Sequence, residues 1–276
     1  MEFPTDRLYK FASFNENSLS ALADQRVWFS DVDSLNDPFE LSFEYVVSEK
    51  EEENIATFKE IGAKEIERYE PISTAEAKQM AEKIYDKDPE LFVKKMHEAI
   101  ELIQSQQEKT LGKLNIFSTS LDIPEEPEHY KNMLMWAHYA VSFTGFCLQF
   151  SATKLLDSFR SHNSESKIGH CKVDYSDVTH KVNPFTYMNN TDESYFAPVQ
   201  FKHLQWKYES EFRFISSVRG LHKYSPDALE RIYLGCKMPE SKQKVILAIA
   251  KEYFPHVEVY KTSIDKTCYE IVAEKI

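Results

Sequence analysis

The stretch "WKYESEFRF", residues 206–214, concentrates charge beside aromatic residues. If these residues form a strand, alternation places Glu209, Glu211 and Arg213 on one face. Phe212 and Phe214 then point the other way, into a core. Two carboxylates and a guanidinium are costly to bury unless they are paired. The pattern predicts either a cross-strand ion-pair ladder or the floor of a polar site, with Glu209 or Glu211 catalytic and Arg213 orienting the carboxylate or holding a phosphate.

A second candidate segment is "MLMWAHYA", residues 133–140. On a helix, Trp136 and Tyr139 are neighbours because they are three positions apart. Their rings suit stacking on a base. His138 could act as a general base or donate a hydrogen bond to a substrate. The alternative interpretation is a core helix that carries one hydrogen-bonded histidine.

Two polar segments follow predicted strands. In "NDPFE", Asn36 and Asp37 could orient a ligand, or they could cap a tight turn that Pro38 fixes. In "FSTSLD", Ser118 and Ser120 lie at a strand end, where ligand-binding loops often begin. The alternative is a polar strand exit. The sequence lacks a G-x-S-x-G elbow, so a serine nucleophile is unsupported.

These segments lead to a geometric expectation. Charged groups close to a core must find partners or open onto water. We therefore expect one shared cleft to be lined by Asp37, Ser118, His138, Glu211 and Arg213. Arg213 would pair with a carboxylate there.

The remaining sequence predicts an α+β protein with a mixed, mostly antiparallel sheet. We expect a single domain over residues 1–276, with a helical insertion at 48–110. Capping signals at Ser73 with Glu76, and at Asp88 before Pro89, mark helix starts in that insertion. Its excess of acidic residues is typical of a solvated face. Residues 201–210 are predicted to be helical, and residues 183–200 to form a long loop that could act as a lid.

Composition excludes several classes of protein. The net charge of −12 argues against nonspecific nucleic-acid binding. No apolar run could cross a bilayer, and the charged N-terminus does not resemble a signal peptide, so we expect a cytoplasmic protein. The four cysteines lack metal-ligand spacing and are expected to be buried and reduced. No metal site and no phosphate-binding glycine loop is predicted.

The motifs together resemble a bacterial and phage family of proteins of unknown function. Its members share an L-Y-K-F strand, a W-F-S strand before N-D-P-F-E, and the later motifs F-S-x-S, M-W-x-H-Y-A, G-F-C-L-x-F, W-x-Y-E-x-E-x-R and I-x-L-G. These match Leu8–Phe11, Trp28–Ser30, Asn36–Glu40, Phe117–Ser120, Met135–Ala140, Gly145–Phe150, Trp206–Arg213 and Ile232–Gly235. The resemblance covers the chain except the acidic helices, and it implies one domain of prokaryotic origin.

The layout also resembles that of ADP-ribosyltransferases, which bind NAD in a cleft between two small sheets. Those enzymes use a His or Arg on the first strand, a Ser or Tyr on the second, and a late catalytic Glu. Here Tyr9 and Lys10 lie on the first strand, Ser30 ends the second, and Glu211 comes late. This resemblance implies NAD as a substrate, and the cofactor, if there is one, is left unidentified by the sequence.

Two functions follow from these residues. One is an enzyme acting on a nucleotide-type ligand such as NAD, by ribosyl transfer or hydrolysis. The other is a non-catalytic sensor module that binds a ligand or a protein, because standard nucleophile and metal motifs are missing. Phage defence or a toxin-type system is the expected setting for either.

Overall fold

The computed structural model describes residues 3–123, 125–188 and 196–276. Its strands are β1 (Arg7–Ala12), β2 (Arg26–Asp31), β3 (Phe43–Tyr45), β4 (Asn115–Leu121), β5 (Phe146–Ser151), β6 (Ile168–Lys172), β7 (Asp174–Ser176), β8 (His180–Val182), β9 (Phe201–His203), β10 (Glu211–Ser216), β11 (Gly220–Lys223), β12 (Leu229–Leu234), β13 (Glu258–Asp265) and β14 (Glu270–Lys275).

The α-helices are α1 (Glu16–Ala23), α2 (Glu51–Tyr69), α3 (Thr74–Lys87), α4 (Pro89–Leu111), α5 (Met133–Tyr139), α6 (Ala152–His162), α7 (Pro184–Met188) and α8 (Glu240–Tyr253). The predicted helix starts are confirmed. The Ser73 side chain caps α3 in a capping box, and the Asp88 side chain caps α4, which begins at a proline. Asn15 likewise caps α1.

A ten-stranded sheet forms the centre of the first compact unit, which comprises residues 1–38, 113–175 and 202–276. The strand order is β11-β2-β4-β1-β5-β12-β13-β14, and β10 pairs with both β4 and β6. Only the β12–β13 pair is parallel among the pairings of this sheet in the described residues. The structure therefore confirms an α+β fold with a mixed, mostly antiparallel sheet.

The sheet splits at β4. Strand β10 pairs along the whole of 115–120, so β1 and β2 must share the other edge of β4. Tyr9 pairs with Ser120 at one end of that edge, and Ser30 pairs with Ile116 at the other. Residues 117–119 are left between them without a partner strand among the described strands on that edge. Strands β1 and β2 diverge from this gap, and α1 connects them.

The two faces of the sheet bury different clusters. One face packs Phe117, Phe212 and Phe214 against apolar side chains of α6 and α8, such as Phe159 and Ile246. The opposite face carries a smaller cluster of Tyr9, Phe11, Met135, Trp136, Cys147 and Tyr233. Because side chains alternate along a strand, Ser118, Ser120, Glu211 and Arg213 belong to this second face.

The second compact unit comprises residues 39–112 and 176–201. Helices α2 and α4 pack their apolar sides around Met96, Ile100 and Phe185. Short strands β3 and β8 pair in parallel. The predicted helices at 48–110 are confirmed, and this compact unit also includes residues outside that range. That the whole chain is a single domain stays a prediction.

Three local expectations were wrong. Residues 201–210 form a short strand and a 3-10 helix, Leu204–Glu209, rather than an α-helix. Residues 183–200 include α7 and a 3-10 turn, while residues 189–195 of the predicted lid lie outside the described part of the chain. Of the four free cysteines, Cys147 and Cys171 are buried, whereas Cys268 is exposed near the β13–β14 turn.

Among the described residues, no helix combines the length and the apolar character that crossing a membrane requires.

Candidate active site

The turn before β10 positions the two glutamates. Glu209 ends the 3-10 helix and therefore does not lie on the strand, contrary to the sequence-based expectation. Ser210 follows in the left-handed region, with φ of 45° and ψ of 50°. Glu211 and Arg213 then share one face of β10, as predicted. The turn at Ser210, rather than strand alternation, determines how Glu209 is presented beside them.

Lys202 joins the two carboxylates. Its Nζ donates to Glu209 Oε2 at 2.7 Å and to Glu211 Oε2 at 3.1 Å. The three residues are only 7%, 4% and 3% exposed, respectively. Sequence reasoning missed Lys202, because residues 201–203 were assigned to a helix. A lysine in a short strand just before two glutamates was the available signal.

Arg213 binds Glu211 at two points. Its Nε donates to Oε1 at 3.0 Å, and its Nη2 donates to Oε2 at 3.1 Å. The Ser118 side chain, opposite Arg213 in the β4–β10 register, also hydrogen bonds the Glu211 carboxylate. The Glu211 backbone N–H donates to the Tyr175 hydroxyl at 2.7 Å. Glu211 is therefore held from several sides.

A hydrogen-bonded chain connects this network to the surface. The Tyr139 hydroxyl donates to Glu209 Oε1 in a short hydrogen bond. Tyr139 in turn accepts from Asn36 Nδ2 at 2.7 Å, and Asn36 is exposed. Helix α5 supports this arrangement: the Asn132 side chain caps it and also donates to the Tyr208 carbonyl at 2.7 Å.

The two glutamates differ in acidity. Burial raises the pKa of Glu211, but the Arg213 and Lys202 charges outweigh burial and bring that pKa to about 2. Burial also raises the pKa of Glu209, and here the Lys202 charge does not compensate, so it stays above its usual value. Burial lowers the pKa of Lys202, yet the two carboxylates together raise it overall. Glu211 is thus fixed as a carboxylate, whereas Glu209 takes up a proton more readily.

Several predicted residues lie outside this network. Trp136 is fully buried, its Nε1 donates to the Tyr130 carbonyl at 2.6 Å, and its ring packs against Phe11 and Phe143. This packing leaves no ring face for a base, which corrects the predicted stacking role. His138 is exposed, with its ring centroid 5.9 Å from that of Tyr208.

Three further predicted residues are buried. Tyr9 lies in the smaller apolar cluster, and its hydroxyl donates to Asp122 Oδ2 at 3.4 Å. Ser120 pairs with Glu211 across the strands and is 2% exposed. Asp37 is buried next to Asn36. That Asp37 and His138 share one cleft with Ser118, Glu211 and Arg213 stays a prediction.

Lys10 and Ser30 line a separate cleft in the gap between β1 and β2. Lys10 Nζ donates to the Ser118 carbonyl at 2.8 Å, at the stretch of β4 where none of the described strands pairs on this edge. Its side chain therefore occupies the place where the sheet splits. Ser118 links the two places, because its side chain bonds Glu211 and its carbonyl accepts from Lys10.

The network offers acid–base groups and anion-binding cations rather than a metal centre. Within residues 3–123, 125–188 and 196–276, no group of three or more His, Cys, Asp or Glu side chains could hold a metal ion. The available chemistry is proton transfer at Glu209, a fixed negative charge at Glu211, and cationic support from Lys202 and Arg213.

One segment, from α5 to β10, carries Tyr139, Lys202, Glu209, Glu211 and Arg213. Residues 135–214 match the family model of DUF2971, a protein family of unknown function. The DUF2971 match confirms, over these residues, the expected resemblance to a family of unknown function. No curated protein and no solved structure gave a significant match to the chain.

Proposed function

We propose that this protein is an enzyme that acts on a nucleotide-type ligand such as NAD, by transfer or hydrolysis at the ribosyl bond. One observation carries the proposal: two buried carboxylates share the Lys202 ammonium, and their pKa values are shifted in opposite directions. Carboxylate pairs whose environments separate their pKa values are typical of acid–base catalysis.

Glu211 and Glu209 have different roles in the proposed hydrolysis. Glu211, held ionised by Arg213, stabilises the positive charge that develops on the ribose as its bond to the nicotinamide nitrogen breaks. A water molecule forms the new bond to the ribose carbon and gives its proton to Glu209. The nicotinamide leaves as a neutral ring, because its nitrogen carried a positive charge in NAD. Tyr139 and Lys202 hold Glu209 in place.

The positions of Lys10 and Ser30 agree with the layout of ADP-ribosyltransferases, although the cleft that they line is separate from the Glu209–Glu211 network. Both residues line the cleft at the split in the sheet. The resemblance to ADP-ribosyltransferases assigns binding roles to these two strand positions. This support is an analogy of layout, and the chemistry of the proposal depends on the carboxylate pair.

Calorimetry with NAD, together with measurement of NAD consumption, tests the proposal. We expect binding and turnover by the wild type, and loss of turnover in Glu211→Gln and Glu209→Gln. Glu98→Gln, an exposed change on α4, is the matched control and should keep full activity. Absence of binding at millimolar NAD, together with intact NAD in expressing cells, would overturn the proposal.

A second candidate function is a non-catalytic sensor that binds a ligand or a protein, in phage defence or a toxin-type system. Each carboxylate oxygen of Glu209 and Glu211 already accepts from an internal donor, which also fits a purely structural network. Toxicity on expression distinguishes the two functions. The sensor is favoured if Glu211→Gln and His138→Ala keep every phenotype while charge reversal on the exposed acidic face of α2–α4 abolishes it.

A further inference from the structure

The cleft at the split in the sheet has the dimensions of a small-molecule site. Its volume is about 670 Å³, which is within the range of ligand pockets. Its floor is apolar and comes from Leu22, Phe117, Phe146 and Leu148. A floor of this kind suits the apolar body of a ligand, because burying apolar surface is favourable.

Lys10 places one positive charge at this floor. Its Nζ lies 5.1 Å from the centroid of the Phe117 ring and donates to the Ser118 carbonyl. An ammonium has three donors, so one carbonyl leaves capacity for a ligand oxygen. Burial lowers the pKa of Lys10, and the Glu211 and Glu209 charges offset only part of that shift. An anion bound beside the ammonium would relieve this burial penalty.

The rim of the cleft gives an independent indication that a ligand binds there. Trp28 and Leu221 pair across β2 and β11, and they are 50% and 46% exposed. Exposed apolar side chains at the mouth of a cleft often mark a binding site. Asp24 and Arg26 also line the cleft and balance each other in charge, which leaves Lys10 as its net charge.

We propose that this cleft binds a small molecule with an apolar body and a single anionic group, and that Lys10 holds the anion. The proposal is independent of the function proposed for the Glu209–Glu211 pair. A carboxylate, a sulfonate or a phosphate monoester fits the same chemistry, because each presents oxygen acceptors to an ammonium.

The probe 8-anilinonaphthalene-1-sulfonate has an aromatic body and one sulfonate, and its fluorescence reports on binding. We expect saturable one-to-one binding to the folded protein. Lys10→Met should weaken the affinity about tenfold, the loss expected for one charge-assisted hydrogen bond. Ala21→Trp, which fills the cleft from α1, should abolish binding while keeping Lys10. Lys154→Met, an exposed change on α6, is the matched control.

A thermal melt of each variant shows that the probe reads the folded state rather than a loosened one. Probe binding is measured without NAD, so a failure of the proposed NAD activity would not alter this result. The proposal is overturned if the wild type shows no saturable binding. It is also overturned if Ala21→Trp, or a folded Lys10→Met, binds the probe as tightly as the wild type.

Discussion

Arg213 is the residue on which the acid–base asymmetry depends. Lys202 donates to one oxygen of each glutamate, whereas Arg213 donates to both oxygens of Glu211. Glu211 therefore has the Arg213 guanidinium as a partner in addition to the Lys202 ammonium that it shares with Glu209. This difference in charge environment, rather than a difference in residue type, separates the pKa values of the two carboxyl groups.

The two glutamates should differ in their effect on stability. In Glu211→Gln, the buried Arg213 and Lys202 cations both lose the Glu211 carboxylate, so we expect a loss of about 3–5 kcal/mol in the free energy of unfolding. In Glu209→Gln, Lys202 keeps Glu211, and we expect a change of about 1 kcal/mol or less. Denaturant unfolding at neutral pH measures both. Equal losses would contradict the pairing scheme.

The Glu211 contribution should depend on pH in a defined window. Its pKa is lowered from an ordinary value of 4.5 to about 2 in the fold. A lowered pKa means that the stabilisation is complete above about pH 4.5 and is lost as the pH falls towards 2. The difference in unfolding free energy between wild type and Glu211→Gln should shrink over that window. A difference that stays constant from pH 6 to pH 2.5 would contradict this assignment.

At the scale of elements, two glycines lie at strand ends where the backbone is crowded. Gly145 directly precedes β5, and Gly235 directly follows β12. A Cβ on Gly145 would lie 2.1 Å from the Ala12 carbonyl oxygen, and a Cβ on Gly235 would lie 2.2 Å from the Phe143 carbonyl oxygen. Backbone atoms cannot move aside as a flexible side chain can. These glycines allow β5 and β12 to approach their neighbours closely.

Gly145→Ala should therefore be strongly destabilising. We expect a loss of more than about 3 kcal/mol, because the β1–β5 pairing must shift to admit the methyl group. Gly169→Ala on β6 is the matched control, since a Cβ there meets nothing within 4 Å. Thermal unfolding of both variants gives the comparison. Similar melting temperatures would show that the chain relaxes around Gly145.

The turn at Ser210 allows a second test of an element. With φ of 45°, Ser210 lies in the left-handed region, where a β-branched side chain is strained. We expect Ser210→Val to lose on the order of 1–2 kcal/mol and to disturb the Glu209 position, whereas Ser210→Gly should keep stability within about 0.5 kcal/mol. Unfolding curves measure the first effect. If valine is tolerated as well as glycine, the turn does not constrain Glu209.

At the scale of the whole molecule, the net charge sets an expectation for partners. A chain with a net charge of −12 should repel polyanions. We expect no measurable binding to random-sequence duplex DNA at physiological salt, by fluorescence anisotropy. Repeating the measurement at low salt is the control, because nonspecific phosphate contacts strengthen steeply there. Tight binding at physiological salt would mean that a local basic surface outweighs the net charge.

The sequence by itself determined the class of fold and the existence of a charged face on β10. Helix caps at Ser73 and Asp88 and the alternation of Glu211, Phe212, Arg213 and Phe214 are local signals. They depend on side chains within a few positions of each other. Local patterns of this kind predict the structure well, because the residues that carry the pattern also make the contacts that it predicts.

Only the tertiary structure decided the membership of the candidate site. Asn36 and Tyr139 join Glu209 and Glu211 from distant elements, and Lys202 joins them from the strand just before. Trp136 and Tyr9, equally conspicuous in sequence, are used in packing. The split at β4 that exposes Lys10 to a cleft also depends on which strands share an edge. Strand pairing joins residues that are remote in sequence, so composition and spacing carry no record of it.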